Sequence, residues 1–158
     1  MLFRSFINSS PLLQWYQDHA DELFTVKLQA YSVKGTWSGH QLTEVIPTPS
    51  SGPIASLTRA SIKPLKTYSF WTKAPPAEID LHETQGCIIS AGVGEAPILR
   101  QATFTIWESQ AAMDAYARSG AHLKAIKAAM QGQYFSESMF VRFQPFDAVG
   151  SWKGKTLG

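Results

Sequence analysis

Cysteine, charge and long apolar runs are all scarce in this chain of 158 residues. Cys87 is the single cysteine, which excludes an intramolecular disulfide, and its apolar neighbours Ile88 and Ile89 favour a small core residue over a catalytic thiol. No apolar stretch reaches the length of a membrane-spanning helix, and the polar residues 8–10 interrupt any signal-peptide core. These absences predict a soluble protein of the cytoplasm.

Charge of either sign gives little indication of a partner. Charged residues make up 16% of the chain and sum to +2, without a dense block of lysine or arginine. We therefore expect no nucleic-acid partner. Hydrophobic residues at 44% and aromatic residues at 12% are enough for one core and favour an apolar small-molecule ligand.

The chain contains an internal duplication. Residues 22–42 match residues 137–157 at a constant offset of 115, with seven identities in twenty-one positions, and both copies end in Gly-x-Trp-x-Gly. Conservative pairs include Lys27/Arg142 and Tyr31/Phe146. Repeats of this kind usually bury their open faces against each other.

The apolar periodicity predicts an α+β, ferredoxin-like unit of βαββαβ order. Its strands are predicted at 54–62, 86–93, 101–107 and 138–146, with helices at 64–73 and 109–131. The first copy retains only a helix at 11–21 and a strand at 23–31. The chain divides into a partial repeat (1–45), a Pro/Ser/Gly linker (46–53) and a complete repeat (54–158).

Six segments carry a likeness to a known family: 34–39, 52–62, 69–71, 92–97, 101–107 and 120–126. Together they resemble the spheroidene monooxygenase (acyclic carotenoid ketolase) family of the dimeric α+β barrel superfamily. The resemblance covers most of the chain from Ser32 onward, although family members have two nearly full repeats. It implies a heme-dependent monooxygenase that oxidises an apolar carotenoid-like substrate at C2, with electrons from an external donor such as ferredoxin.

Three residues are candidate cofactor contacts: His122, Arg59 and Trp107. His122 lies on the apolar side of a helix, where a hydrogen-bonded core histidine is the common alternative; the family position favours an axial heme ligand and metal site. Arg59 interrupts an apolar strand face and is interpreted either as a partner of a heme propionate or as half of a buried ion pair with Glu95 or Asp147.

An aromatic group is the candidate substrate pocket. Tyr68, Phe70 and Trp71 end the first helix of the complete repeat, and Thr105 shares a strand face with Trp107. Ordinary core packing is the alternative for the aromatic residues. His19, His40 and His82 lie in polar surroundings and are predicted to be surface residues, while Gly92–Gly94 lacks the spacing and the following helix of a phosphate loop.

The missing half of the first repeat predicts an obligate homodimer. A lone strand at 23–31 cannot satisfy its own backbone groups, and one sheet face would expose Phe, Ile and Trp side chains. The alternatives to a monooxygenase are a barrel module without oxygenase activity, with or without heme, and another heme-barrel reaction such as dehydration. An apolar substrate also suggests contact with a membrane surface.

Overall fold

A computed structural model describes residues 9–72, 81, 84–96, 98–118, 123, 124, 127 and 133–157. The strands are β1 (Phe24–Gly35), β2 (Ile54–Ile62), β3 (Cys87–Ala96), β4 (Arg100–Trp107) and β5 (Phe135–Gly150). The helices are α1 (Pro11–His19), α2 (Thr67–Trp71) and α3 (Gln110–Ala117), and a 3₁₀ turn, Pro64–Lys66, precedes α2.

The five strands form one sheet in the order β1-β5-β2-β4-β3. The segment from β2 to β5 contributes β5-β2-β4-β3, with β2 antiparallel to both β4 and β5, which is the ferredoxin-like arrangement expected from the sequence. The strand of the partial repeat, β1, adds to the edge of this sheet beside β5. It therefore finds its hydrogen-bonding partner within its own chain.

Two compact units make up the chain: the residues up to Lys27 together with Phe146 onward, and Leu28–Pro145. The boundaries fall inside β1 and β5. The division at 45/46 and 53/54 drawn from the repeat stays a prediction.

The observed bounds of the strands and helices agree best with the predicted bounds at β2, in the centre of the sheet. Strand β2 has the predicted bounds, whereas β1 and β5 are longer than predicted because each continues beside the other past its apolar residues. The predicted helix 64–73 is a 3₁₀ turn followed by a five-residue helix, in which the Thr67 hydroxyl donates to the carbonyl of Pro64 at 2.9 Å. Of the predicted helix 109–131, α3 is the continuous described part.

The two faces of the sheet differ in character. On one face, which we call the α3 face, Trp107 and Ile54 are cross-strand partners and pack with Met113 and Tyr116 of α3. On the opposite face Ala55 pairs with Ile106, and both side chains are 0% exposed. The expectation that a sheet face would expose its Ile and Trp side chains is therefore wrong for Ile106 and Trp107, which are buried within the single chain.

Each Gly-x-Trp-x-Gly turn is held by a glutamate from the other copy of the repeat. The carboxylate of Glu137 accepts hydrogen bonds from the Thr36 hydroxyl (3.0 Å) and from the backbone N–H groups of Ser38 (2.9 Å) and Gly39 (3.0 Å). We call this arrangement, with turn residues 36–39, the first clasp. These hydrogen bonds explain why Glu137 is one of the identical positions of the repeat, although it lies about 100 residues from the turn 36–39 that it binds.

The second clasp has the same chemistry at positions shifted by the repeat offset. Glu22 accepts from the Ser151 hydroxyl (2.8 Å) and from the N–H groups of Lys153 (2.6 Å) and Gly154 (2.8 Å). In both clasps a carboxylate takes up backbone N–H groups that the tight turn cannot pair internally. The duplication therefore preserves a reciprocal exchange of contacts and not only a local turn sequence.

Among the residues that the structure describes, there is no helix both long enough and apolar enough to cross a bilayer.

Candidate functional site

A row of polar side chains crosses the α3 face inside an otherwise apolar layer. The hydroxyls of Ser56 and Thr105 lie 2.8 Å apart on neighbouring strands, and the indole N–H of Trp107 donates to Thr105 Oγ1 at 2.9 Å. Thr105 is 5% exposed and Trp107 is 1% exposed. The hydrogen bond fixes the orientation of the Trp107 ring, which contacts the ring of Tyr116 at a centroid distance of 5.3 Å.

An ion pair joins α3 to β5 beside this row. A guanidinium nitrogen of Arg142 lies 3.0 Å from a carboxylate oxygen of Asp114, and the two side chains are 24% and 23% exposed. Arg142 is the cross-strand neighbour of Ser56, so the pair continues the polar row toward β5. Because both charges are partly shielded from water, the pair orients the helix more strongly than a surface ion pair would.

Tyr31 adds a buried hydroxyl to the same layer. Its side chain is 7% exposed and packs in the core cluster with Trp107, Met113 and Tyr116. Within the described part of the chain, the hydroxyl has no hydrogen-bond partner of ordinary geometry. Burial raises the pKa of the Tyr31 hydroxyl, and the Asp114 charge adds to that shift. Arg142 opposes the shift by its charge and by an approach that falls short of ordinary hydrogen-bond geometry. The raised pKa keeps the group protonated and able to donate at neutral pH.

The three aromatic residues of the predicted substrate pocket do not form one group: Phe70 and Trp71 pack together, whereas Tyr68 is exposed. Phe70 contacts Trp71, Tyr134 and Phe135 edge to face, with ring centroids 5.3, 6.4 and 5.6 Å away. The Trp71 indole N–H donates to the carbonyl of Ile98 at 3.0 Å. Tyr68, in contrast, is 85% exposed. The fourth predicted residue, Thr105, lies in the polar row and not among these aromatic rings.

Arg59 lies on the face opposite Trp107. Its guanidinium carbon sits 3.7 Å from the ring centre of Trp37, with Arg100 at 6.0 Å from the same ring. Burial lowers the pKa of Arg59, Arg100 adds to that effect and Glu137 opposes it. Trp107 pairs with Ile54 whereas Arg59 pairs with Ala102, an odd number of residues away along each strand, so the two predicted cofactor contacts do not share a face.

The two ion pairs considered for Arg59 have different outcomes. Asp147 accepts a hydrogen bond from Lys27 at 2.5 Å, an exposed contact of the other compact unit. The side chain of Glu95 lies outside the described residues. The indole of Trp37 is a defined neighbour of Arg59, and a guanidinium covers such a ring favourably.

His122, the predicted heme ligand, lies outside the described residues, as does His82. His19 and His40 are exposed, as predicted. In the described ranges no three His, Cys, Asp or Glu side chains come together as a metal site. The predicted axial ligand therefore stays a prediction, and the other two predicted heme contacts, Trp107 and Arg59, lie on different faces of the sheet.

The sequence contains only a weak signal for Tyr31 and Arg142 of the α3 face. Tyr31 was visible only as the repeat partner of Phe146, and Arg142 only as that of Lys27. Tyr31 has a hydroxyl and its repeat partner Phe146 has none. The packing that the two copies of the repeat share therefore does not require this hydroxyl. The ion pair of Arg142 with Asp114 had no signal, because the two residues are 28 positions apart on different elements.

Comparison with known proteins identifies relatives over nearly the whole chain. No family model matches it. It is 51% identical over 154 residues to spheroidene monooxygenase of Rubrivivax gelatinosus, covering 98% of this chain and 59% of that protein. Spheroidene monooxygenase of Rhodobacter capsulatus is 39% identical, with 92% of this chain and 62% of that protein covered.

Solved structures support the fold alone. A candidate antibiotic biosynthesis monooxygenase from Bacteroides thetaiotaomicron superposes with a TM-score of 0.54 at 13% identity, covering 65% of this chain and 95% of that one. A conserved protein from Methanosarcina mazei gives a TM-score of 0.52 at 15% identity, covering 60% of this chain and 94% of that one. The resemblance seen in the sequence is confirmed: the chain is similar to the spheroidene monooxygenases along nearly its entire length, and it spans about three fifths of the length of the first two.

Proposed function

We propose that this chain is part of a heme-dependent monooxygenase that oxidises an apolar, carotenoid-like substrate. The observation that carries the proposal is the 51% identity, over 98% of the chain, to a protein named spheroidene monooxygenase. The proposal extends to the whole protein only through that similarity, because the chain spans part of its relatives.

The α3 face has the chemical character that such a substrate would need. Apolar side chains surround a few fixed polar groups there, a combination typical of sites for hydrophobic small molecules. This chain's residues would hold an unactivated hydrocarbon by shape and exclude water. The polar row would orient any oxygen atom the substrate carries.

We propose that His122 holds the heme iron, as the family resemblance implies. When bound, the heme would activate oxygen with electrons from an external donor such as ferredoxin. Arg59 is the candidate partner of a propionate, although it lies across the sheet from Trp107. In this proposal the residues of the α3 face hold and orient the substrate, and electron transfer does not involve them.

Replacing His122 tests the cofactor and separates it from the alternatives. The purified chain is titrated with hemin, and the Soret band is compared for the parent, His122→Ala and His19→Ala. His19 is an exposed histidine on α1, so its variant controls for loss of any imidazole. We expect a ligand-bound Soret band that is lost in His122→Ala only. An unchanged band in His122→Ala would refute the ligand, and no heme uptake by the parent would favour the cofactor-free module.

Product analysis then tests the reaction. The heme-loaded protein is supplied with oxygen, ferredoxin, a ferredoxin reductase and an acyclic carotenoid, and products are separated by mass. Gain of an oxygen atom supports the monooxygenase. Loss of water from a hydroxylated carotenoid without gain of oxygen would instead indicate a dehydratase on the same fold.

We further propose that the chain meets its lipid-soluble substrate at a membrane surface. Leu65, Tyr68 and Trp71 are spaced by three residues through the 3₁₀ turn and α2, and Leu65 and Tyr68 are 98% and 85% exposed. Lys63 and Lys66 flank them, and Trp71 links the segment to Ile98, which is 57% exposed. Exposed apolar and aromatic side chains with adjacent lysines suit an anionic bilayer surface.

Vesicle sedimentation distinguishes this contact from other uses of the same residues. Leu65→Glu should reduce binding to vesicles that contain phosphatidylserine, whereas Leu12→Glu, which alters a 58% exposed leucine of α1, should not. Equal binding of all three proteins would contradict the proposal. A change in self-association without a change in vesicle binding would assign the residues to a dimer contact.

A further inference from the structure

The hydroxyl of Tyr31 is an exception to the pairing of buried polar groups. Most buried hydroxyls in folded proteins find a hydrogen-bond partner, because leaving one unpaired costs its full desolvation. Tyr31 is 7% exposed, and its hydroxyl oxygen has no partner of ordinary geometry in the described part of the chain. By contrast Tyr134, 6% exposed, lies with its hydroxyl 3.0 Å from Ser69 Oγ.

The surroundings of Tyr31 point to an apolar ligand that carries oxygen. Its neighbours in the core cluster are Ile54, Trp107, Met113 and Tyr116, which provide an apolar wall with aromatic rings. The charged groups that act on Tyr31 are Arg142 and Asp114, which pair with each other at 3.0 Å. Arg142 also approaches the Tyr31 hydroxyl, but a guanidinium can only donate a hydrogen bond and therefore leaves the phenolic proton unused. Among the described residues, Tyr31 thus brings to the α3 face a buried O–H donor that no contact of ordinary geometry takes up.

The internal duplication shows that the repeat does not depend on this hydroxyl. Position 31 corresponds to position 146, where the second copy has Phe146. The aromatic ring is common to both copies and the oxygen is not. The hydroxyl therefore has no role that the shared strand architecture demands.

We propose that Tyr31 donates a hydrogen bond to an oxygen atom of an otherwise apolar ligand bound on the α3 face. The preferred ligand class is an isoprenoid chain bearing a carbonyl, hydroxyl or ether oxygen, over the plain hydrocarbon. The inference rests on the proposed function for the existence of an apolar ligand and adds the group that selects its oxygenated form. Because burial keeps the phenol protonated, the donor persists throughout the neutral pH range.

A matched pair of ligands and a matched pair of tyrosines test the proposal. The probes are geranylacetone and the hydrocarbon with the same skeleton but no carbonyl, each titrated by calorimetry. We expect the parent to bind the ketone about tenfold more tightly, as one added hydrogen bond allows, and Tyr31→Phe to lose that preference. Tyr134→Phe should retain it.

Stability provides a second readout. Tyr31→Phe removes an unpaired polar atom and should melt at the same temperature as the parent or higher, whereas Tyr134→Phe breaks a made hydrogen bond and should melt lower.

Each other outcome has a definite meaning. If Tyr31→Phe keeps the preference for the ketone, or if the parent binds both probes equally, the inference is overturned while an apolar-ligand function stands. If the parent binds neither probe, the proposed function and the inference fail together. A lower melting temperature for Tyr31→Phe would indicate a structural partner for the hydroxyl and would also overturn the inference.

Discussion

Glu22 and Glu137 perform the same task at positions separated by the repeat offset. In each clasp backbone N–H groups and one hydroxyl donate to the carboxylate, and the pKa of both glutamates is lowered, first by the N–H groups of Gly154 and Gly39 respectively. A lowered pKa in the folded state means that folding favours the ionised form. The contribution to stability is therefore present above the usual carboxyl value of 4.5 and is lost as pH falls through the folded value.

Glutamine substitution should remove this pH dependence. At about pH 7 we expect Glu137→Gln and Glu22→Gln to melt at lower temperatures than the parent. The difference should shrink as the pH falls below the usual carboxyl pKa of 4.5 and through the lowered pKa of the folded state, where the parent carboxylates become protonated. Glu44→Gln, an exposed glutamate outside the clasps, is the control. A difference that stays constant across this range would assign the effect to lost packing and not to charge.

Gly35 and Gly39 lie in or beside the same turn with similar backbone angles, φ +79° and +74°. An alanine Cβ at Gly35 would overlap the carbonyl oxygen of Ser138, whereas at Gly39 it would meet nothing within 4 Å. Gly39→Ala should cost about 1–2 kcal/mol from the left-handed conformation alone. Gly35→Ala should cost clearly more, measured by urea unfolding. Equal costs would mean that the strand moves aside without penalty.

At the scale of single elements, the N-terminus of α3 is the best-defined local signal in the sequence. The predicted helix 109–131 starts at Ser109, whose hydroxyl caps α3 by accepting a hydrogen bond from the N–H of Ala112 at 3.2 Å. Ser10 occupies the same position before α1 without making such a bond. We expect Ser109→Ala to lower the free energy of unfolding by about 1 kcal/mol and Ser10→Ala to lower it less. The reverse order in urea unfolding would contradict this.

The sequence predicted the elements whose signals are local. Strand β2 lies between the Pro/Ser/Gly linker and Pro64, and these flanking residues made its bounds 54–62 predictable. The ends of β1 and β5 were missed because their extra residues are held by pairing between distant strands and not by their own hydrophobicity. The repeat predicted equivalent turns, but nothing in it indicated that each turn binds a glutamate of the other copy.

The candidate site was less predictable for the same reason. The placement of Thr105 and Trp107 on one strand face follows from alternation and was correct. The orphaned hydroxyl of Tyr31 depends on which side chains surround it, and those come from β2, β4 and α3. Only the assembled sheet shows that Arg59 lies across from Trp107.

At the scale of the whole molecule, self-association stays a prediction, and both reasons first given for it have changed. Strand β1 pairs with β5 of its own chain, and Ile106 and Trp107 are already buried within the single chain. The support that stands is the resemblance to a dimeric superfamily and the two strands, β1 and β3, at the sheet edges.

Sedimentation equilibrium over a range of concentrations checks this prediction. We expect a dimer at micromolar concentration and a melting temperature that rises with concentration, because dissociation would uncover the shared surface. A folded monomer with a concentration-independent melting temperature would refute it.

During protein synthesis the first clasp cannot form until Glu137 has been added to the chain, long after its turn residues 36–39. Gly39 and Glu137 are 98 residues apart, so the ribosome needs roughly 5 to 20 seconds to supply the acceptor after the turn has been made. Throughout that interval the turn containing Trp37 has no carboxylate to hold it, and β1 has no neighbouring β5. The nascent chain therefore carries an open strand edge and an unsecured indole for seconds, a state in which a chaperone would find its substrate.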